Sequence, residues 1–303
     1  MLKSEVVKTH YTRCMMLAVI VCFFNFIPLH ANSPNRELKA IVTADNDFTT
    51  DEHPEGREIA VPKAVAKKIK SLVNEAYANL EPSLKREYSE EYFYGNVFRI
   101  TAPGGRELYV FLQTGPLGVY FYYFILFDPK TNKVTKMPPC IYAKWMLGPA
   151  WGAELKKPLA SFEDIDGDET EECVIQERVH NGTVYNAIVY HYYHISPDLS
   201  LRPVLAVETR LRDITTEDQD GIINRTLQKT GIGEVLLDVS LDCSTPNPLH
   251  RELGSVLLRS PEPGSPFKIV KKIVLDPDYG GLLITASGED EFKFTIKGYD
   301  FYY

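Results

Sequence analysis

Hydrophobic residues recur at helical spacing in one long stretch after Pro62. They return every three or four positions, the period of one face of an α-helix. Pro62 suits the first turn of a helix, and Glu81-Pro82 is a typical stop signal. The pattern predicts one amphipathic helix over residues 62–80, whose apolar face comprises Val65, Ile69, Leu72, Val73, Ala76, Tyr77 and Leu80.

From about residue 92 onward the pattern changes to one of β-strands. Residues 119–127 are apolar or aromatic throughout, which is typical of a strand buried on both faces. Residues 235–241, 267–275 and 292–297 instead alternate apolar and polar positions, as strands with one buried face do. The residues predicted to face the core in these strands are Val235, Leu237, Val239 and Leu241; Phe267, Ile269, Ile273 and Leu275; and Phe292, Phe294 and Ile296.

A β-hairpin is predicted around Asn181-Gly182, which separates two runs of β-forming residues. Asn-Gly favours a two-residue type I′ turn, because both residues tolerate the positive φ angles that this turn requires. The strands would then run up to residue 180 and resume at residue 183.

These elements predict a mainly β protein, an antiparallel meander with one N-terminal amphipathic helix. A propeller-like arrangement and a large sandwich or roll are both open, because no repeat signature selects between them. Residues 62–303 are expected to form a single β-rich domain that opens with the helix. Residues 32–61 are polar and are interpreted as an N-terminal arm with one short strand over 39–43.

The N-terminus has the three parts of a secretory signal peptide. A basic segment precedes an apolar run from Cys14 to Ile27, and Leu29 and Ala31 offer a small-residue cleavage site. The apolar run is shorter than the roughly 20 residues that span a bilayer. We therefore predict a signal peptide over residues 1–31, no transmembrane span after its cleavage, and a periplasmic or extracellular location.

The net charge of the chain bears on whether it binds nucleic acid. The chain carries 41 acidic and 33 basic residues, a net charge of −8, which disfavours binding to nucleic-acid phosphates.

Beyond the predicted signal peptide the cysteines are Cys140, Cys173 and Cys243. Their spacing fits no metal or redox motif, and both one disulfide and buried free thiols are compatible with it.

The stretch FEDIDGDETEECVI, residues 162–175, is the main candidate for chemistry. Ca²⁺ prefers six to eight oxygen ligands, and alternate side chains of a tight loop can supply them. Gly167 would permit the turn that brings these side chains together. The ligands predicted from the spacing are the side chains of Asp164, Asp166, Asp168 and Glu172 and the carbonyl of Thr170.

The loop resembles the calcium loop of the FG-GAP/VCBS family, found in integrin α-subunit propellers and in many exported bacterial proteins. That pattern reads D-x-D-G-D-G-x-x-D before an apolar strand, and DIDGDETEECVI departs from it in having Glu169 for the second Gly and Glu172 for the last Asp. An EF-hand is excluded, because Glu169 and Ile175 occupy the positions that require Gly and Glu. The resemblance implies a calcium-stabilised turn between two strands, often in a propeller used for adhesion or ligand binding. The family normally repeats the loop, whereas this sequence has one good copy of it.

Other motifs give little chemistry. His191 and His194 lie on opposite faces of one strand, so they cannot share a metal ion. Aromatic residues at 91–96, Trp145, Trp151 and 299–303 could form a sugar-binding or protein-binding patch, or belong to the core.

We expect an exported, calcium-stabilised β-rich binding or structural protein with a protein or carbohydrate ligand, rather than an enzyme. The alternative is a secreted polysaccharide hydrolase that uses a carboxylate pair set by space rather than by sequence.

Overall fold

The structure is a computed structural model. It describes residues 37–42, 56–80, 82–86, 88–114, 120–137, 140–142, 159–181, 185–213, 221–243, 249–277 and 286–287. The predicted signal peptide, Trp145, Trp151 and the strand predicted over 292–297 lie outside these residues. In the part of the chain that is described, no helix has the length and apolar character needed to cross a bilayer.

The described chain is mainly β, as predicted, with one α-helix. The helix α1 is Lys63–Ala78, and short 3-10 turns occur at Leu84–Arg86, Glu90–Phe93 and Pro103–Gly105. The strands are β1 (Lys39–Val42), β2 (Arg57–Ala60), β3 (Tyr94–Ala102), β4 (Arg106–Thr114), β5 (Tyr120–Asp128), β6 (Lys133–Lys136), β7 (Cys140–Tyr142), β8 (Ala160–Glu163), β9 (Glu172–Asn181), β10 (Tyr185–Ile195), β11 (Leu201–Asp213), β12 (Gly221–Gly231), β13 (Glu234–Cys243), β14 (Leu249–Arg259), β15 (Lys268–Val274) and β16 (Ala286–Ser287).

These strands form one continuous hydrogen-bonded path. Its order is β15-β14-β13-β12-β11-β10-β9-β7-β5-β4-β3-β1-β2, and β6, β8 and β16 attach to β5, β9 and β11. Neighbours are antiparallel except β1 with β3 and β7 with β9. A propeller would divide into separate four-stranded sheets. The unbroken path agrees instead with the sandwich or roll alternative.

The predicted amphipathic helix is confirmed and covers one core. Val65, Ile69, Leu72 and Val73 are buried, with Ala76, Tyr77 and Leu80 packed at the margin. This core also contains aromatic residues of β3–β5 and of the 3-10 turn before β3. Phe93 and Tyr94 are among them, so the described aromatics of 91–96 are mainly core residues.

A second core lies between β9–β11 and the hairpins β12–β14. The predicted alternation in β13 is confirmed, since Val235, Leu237, Val239 and Leu241 are all buried. They pack against apolar side chains of β10 and β11. Cys173 is a buried free thiol, the side chain of Cys243 is also buried, and the side chain of Cys140 lies outside the described residues.

The alternation predicted for 267–275 is wrong beyond its first residue. Phe267 is buried, but Ile269, Ile273 and Leu275 are 39%, 42% and 63% exposed. All seven residues of β15 are exposed, on both faces. In the described structure β15 pairs only with β14, so it is an edge strand that extends past the core.

The hairpin of β9 and β10 is confirmed, but its predicted two-residue turn is wrong. Asn181 is a strand residue opposite Tyr185, which leaves three residues to connect the strands. A turn at Asn181-Gly182 would have placed Glu172 opposite His191. In the observed register Cys173 faces Tyr193, and Glu172 therefore comes next to His194.

Candidate metal centre

The acidic loop occupies residues 164–171, between the antiparallel strands β8 and β9. Pairing of Glu163 with Glu172 closes its base, so the backbone must reverse within eight residues. The reversal uses left-handed backbone at two positions, Gly167 with φ +76° and Glu169 with φ +70°. Gly167 thus makes the turn that the sequence predicts for it.

The loop brings together three of the four side chains predicted as ligands. Carboxylate oxygens of Asp164, Asp166 and Glu172 all lie within 4.8 Å of one another. Asp166 and Glu172 are buried, at 2% and 0% exposure, and Asp164 is half-buried. Two oxygens on opposite sides of a Ca²⁺ ion would be about 4.8 Å apart, so the spacing fits a shared cation.

Asp164 organises the loop through both of its carboxylate oxygens. Oδ1 accepts from the backbone N–H groups of Gly167 at 2.5 Å and Asp168 at 3.1 Å. Oδ2 accepts from the Lys229 ammonium at 3.0 Å and from the N–H of Glu169 at 3.3 Å. Burial acts to raise the pKa of Asp164, but the hydrogen bonds from Lys229 and Gly167 outweigh it and lower the pKa. Asp164 is therefore ionised at neutral pH.

Asp166 joins the loop to two distant turns. Its Oδ2 accepts from the N–H of Gly264 at 3.0 Å, in the connection between β14 and β15. Its backbone carbonyl accepts from Gly233, in the turn between β12 and β13. The carbonyl of Gly233 in turn accepts from the N–H of Ser260 at 2.7 Å. The acidic loop thus holds the ends of two hairpins together.

Glu172 is the most deeply buried member of the cluster. Its Oε2 accepts from the N–H of Ile165 at 3.2 Å, and its Oε1 lies 3.2 Å from Nδ1 of His194. Burial raises the pKa of Glu172 to about 8, helped by the negative charges of Asp166, Asp168 and Asp164 and opposed by the Ile165 hydrogen bond. The cluster therefore resists holding its full negative charge without a cation.

The group of three converging carboxylates does not include that of Asp168, whose backbone N–H donates to Oδ1 of Asp164 and to Oδ1 of Asp166. Oδ1 of Asp168 accepts from the N–H of Thr170 at 2.7 Å, which stabilises the outer part of the loop. Asp168 is half-buried and Thr170 is exposed. Their predicted role as ligands stays a prediction.

Three contributors were missed by sequence reasoning: Lys229, His194 and Gly264. Lys229 comes from β12, 65 residues away, and no local pattern marks it. His194 could have been found from the hairpin register, had the turn been read correctly. Gly264 has φ +63°, and a Cβ there would meet the His194 ring at 2.5 Å, so this close approach requires glycine.

The left-handed backbone at Glu169 predicts a stabilising substitution. Left-handed backbone costs a non-glycine residue about 1–2 kcal/mol, and glycine's greater freedom in the unfolded chain offsets part of that gain. We expect Glu169→Gly to raise the free energy of unfolding by about 0.5–1 kcal/mol. Urea titration measures this change. The matched control is Glu171→Gly, where φ is not positive, and it should destabilise; a lower stability of Glu169→Gly than of the wild type would refute the account.

No family model, curated protein or solved structure matches this chain.

Proposed function

We propose that this chain is an exported, calcium-stabilised β-rich binding or structural protein, and that Asp164, Asp166 and Glu172 hold the ion. The observation that carries the proposal is the convergence of their three carboxylates within 4.8 Å, with two of them buried. Buried charges need a compensating partner, and a divalent cation supplies one to several carboxylates at once.

The donor set suits a hard cation. All three side chains offer oxygen, with no nitrogen or sulfur among them, which favours Ca²⁺ or Mg²⁺ over Zn²⁺ or Cu²⁺. Ca²⁺ is favoured further because it accepts irregular sites and bidentate carboxylates, whereas Mg²⁺ demands near-octahedral geometry. Backbone carbonyls or water would complete the six to eight ligands.

The turn geometry supports the resemblance to the FG-GAP/VCBS loop. That pattern has glycine at the positions of residues 167 and 169, and the backbone is left-handed at both. Glu169 thus adopts the left-handed backbone that glycine favours. This similarity is local to the loop.

Lys229 sets the charge balance of the site. Its ammonium contacts both Oδ2 and the carbonyl oxygen of Asp164, at 3.0 and 3.2 Å. A single ammonium cannot neutralise three carboxylates, so the site still favours a divalent ion. Ca²⁺ would have to share Asp164 with Lys229, which points to modest rather than very tight affinity.

The role proposed for the ion is structural. Asp166 connects the loop to Gly264 and Gly233, so an ion that fixes Asp166 also fixes the ends of two hairpins. Recognition of a protein or carbohydrate ligand would then use the surface of the β domain, outside the cell or in the periplasm.

Thermal unfolding with and without chelator tests the proposal. A ligand present at 100 times its Kd stabilises the folded state by about 2.7 kcal/mol. For a domain of this size that corresponds to a rise in Tm of roughly 5 °C. We expect Ca²⁺ to raise the Tm and EDTA to reverse the rise. Equal Tm values in saturating Ca²⁺ and in EDTA would contradict the proposal.

A further inference from the structure

The strand β15 and the residue after it carry a surface patch that is both aliphatic and basic. Of the six large apolar side chains that are exposed among the described residues, five belong to residues 269–275. They are Ile269, Val270, Ile273, Val274 and Leu275, each between 39% and 63% exposed. Lysines at positions 268, 271 and 272 are interspersed among them and are exposed as well. Exposed apolar surface concentrated in this way is typical of interaction sites.

The lysines give this patch a positive local charge. The acidic side chain that follows β15, Asp276, lies 2.8 Å from Nη1 of Arg251 in β14. The acidic side chain of β14 itself, Glu252, lies 2.8 Å from Nε2 of its neighbour His250. Lys271-Lys272 forms no ion pair with the residues that the structure describes. The patch therefore attracts anions, although the whole chain has a net charge of −8.

Apolar side chains are exposed on both faces of the strand. Ile273 and Val274 are consecutive, so their side chains point to opposite faces, and they are 42% and 46% exposed. A rigid protein surface covers one face of a strand, whereas a fluid lipid interface closes around both. The distribution of apolar side chains therefore favours a lipid surface over a protein partner.

The mixture of lysine and aliphatic side chains suits an anionic lipid surface in particular. Aliphatic groups gain free energy when they leave water for the boundary between headgroups and acyl chains, while lysines keep their ammonium groups among the phosphates. Each lysine beside an anionic leaflet strengthens binding by roughly fivefold. The same lysines oppose deeper insertion, because an ammonium group in hydrocarbon is costly.

We propose that β15 docks this protein on membranes that carry anionic lipids. The aliphatic side chains of residues 269–275 enter the headgroup boundary, and Lys271 and Lys272 contact the lipid phosphates. None of the calcium ligands proposed above lies in β15, so this proposal stands or falls separately from the calcium site.

Co-sedimentation of the purified protein with lipid vesicles tests the charge requirement. We expect binding to vesicles of equal parts phosphatidylglycerol and phosphatidylcholine, and at least tenfold weaker binding to phosphatidylcholine alone. Lys271→Glu with Lys272→Glu should weaken binding to the mixed vesicles at least tenfold. The matched control is Lys67→Glu with Lys70→Glu, two exposed lysines of α1. It makes the same change in net charge and should leave binding within about twofold, since it lies outside the patch.

The apolar contribution is tested by Ile273→Ser with Val274→Ser. This variant should also bind the mixed vesicles at least tenfold more weakly, because it removes side chains that would enter the lipid boundary. Ile232→Ser is the control, since Ile232 is 83% exposed in the turn between β12 and β13 and lies outside the patch. It should bind as the wild type does. Thermal unfolding checks that all these variants keep the fold, as expected for exposed positions.

Three outcomes would overturn the proposal. The first is the absence of binding to the mixed vesicles, or equal binding to both kinds of vesicle. The second is an equal loss of binding in the Lys67→Glu and Lys70→Glu control, which would show adsorption through overall charge. The third is a lipid-free dimer that Ile273→Ser with Val274→Ser abolishes, because a second copy of the chain would then cover β15.

Discussion

Glu172→Gln is expected to raise the free energy of unfolding of the calcium-free protein by about 3 kcal/mol at pH 7. The carboxyl group is fully buried, and its pKa is raised from 4.5 to about 8. A raised pKa means that the folded state disfavours the ionised form, whereas Gln is neutral at every pH and keeps an oxygen for the Ile165 N–H. Urea titration in EDTA measures the change.

Because the pKa of Glu172 is raised in the folded state, the stability of the calcium-free protein depends on pH. The protonated form of Glu172 contributes its full stability below pH 4.5, and that contribution is lost as pH rises through about 8. Calcium-free wild type should therefore lose stability across this window, and Glu172→Gln should lose less. The control is Glu171→Gln, an exposed residue of the same loop. Parallel pH profiles for wild type and Glu172→Gln would refute the buried-charge account.

Removing one partner of the buried Arg225–Glu208 ion pair is the second large expected effect. Nη1 of Arg225 lies 2.7 Å from Oε1 of Glu208, and the two side chains are 0% and 2% exposed. Arg225→Met would leave a carboxylate buried without its guanidinium, at a cost of about 3–5 kcal/mol. Chemical denaturation at pH 7 measures the loss.

The double variant Arg225→Met with Glu208→Leu separates charge from packing. Replacing a whole buried pair by apolar residues is often close to neutral, so the double variant should recover most of the lost stability. Arg99→Met is the comparison, because the Arg99–Glu107 pair is 24% and 21% exposed and should cost less. A double variant as unstable as Arg225→Met would show that the loss of stability comes from altered packing and not from the buried charge.

Local sequence patterns predicted the helix and the buried strands because the buried side chains of these elements recur at the helical or strand period. The alternation of β13 and the apolar stripe of α1 both reflect one face against a core. In β15 the same alternation fails, because an edge strand that extends past the core has no buried face. Whether the side chains of β15 are buried depends on neighbouring elements that the local sequence does not specify.

In the candidate site too, local sequence predicted some contributors, whereas others depend on distant parts of the fold. Gly167 and the spacing of Asp164, Asp166 and Glu172 are local, and they predicted three clustered carboxylates. Lys229 and Gly264 reach the loop only through the packing of distant hairpins. His194 depends on the β9–β10 register, which is shifted by three residues from that of a turn at Asn181-Gly182, so that His194 rather than His191 meets Glu172.

Calorimetric titration of the metal-free protein with Ca²⁺ at pH 8 tests the central claim most directly. We predict about one ion bound per chain for the wild type and for Glu171→Gln, and an affinity at least tenfold lower for Glu172→Gln. Since the ion requires ionised Glu172, the wild-type affinity should fall on lowering the pH from 8 to 6. No uptake of Ca²⁺ by the wild type, or equal affinity in wild type and Glu172→Gln, would contradict a calcium site at this loop.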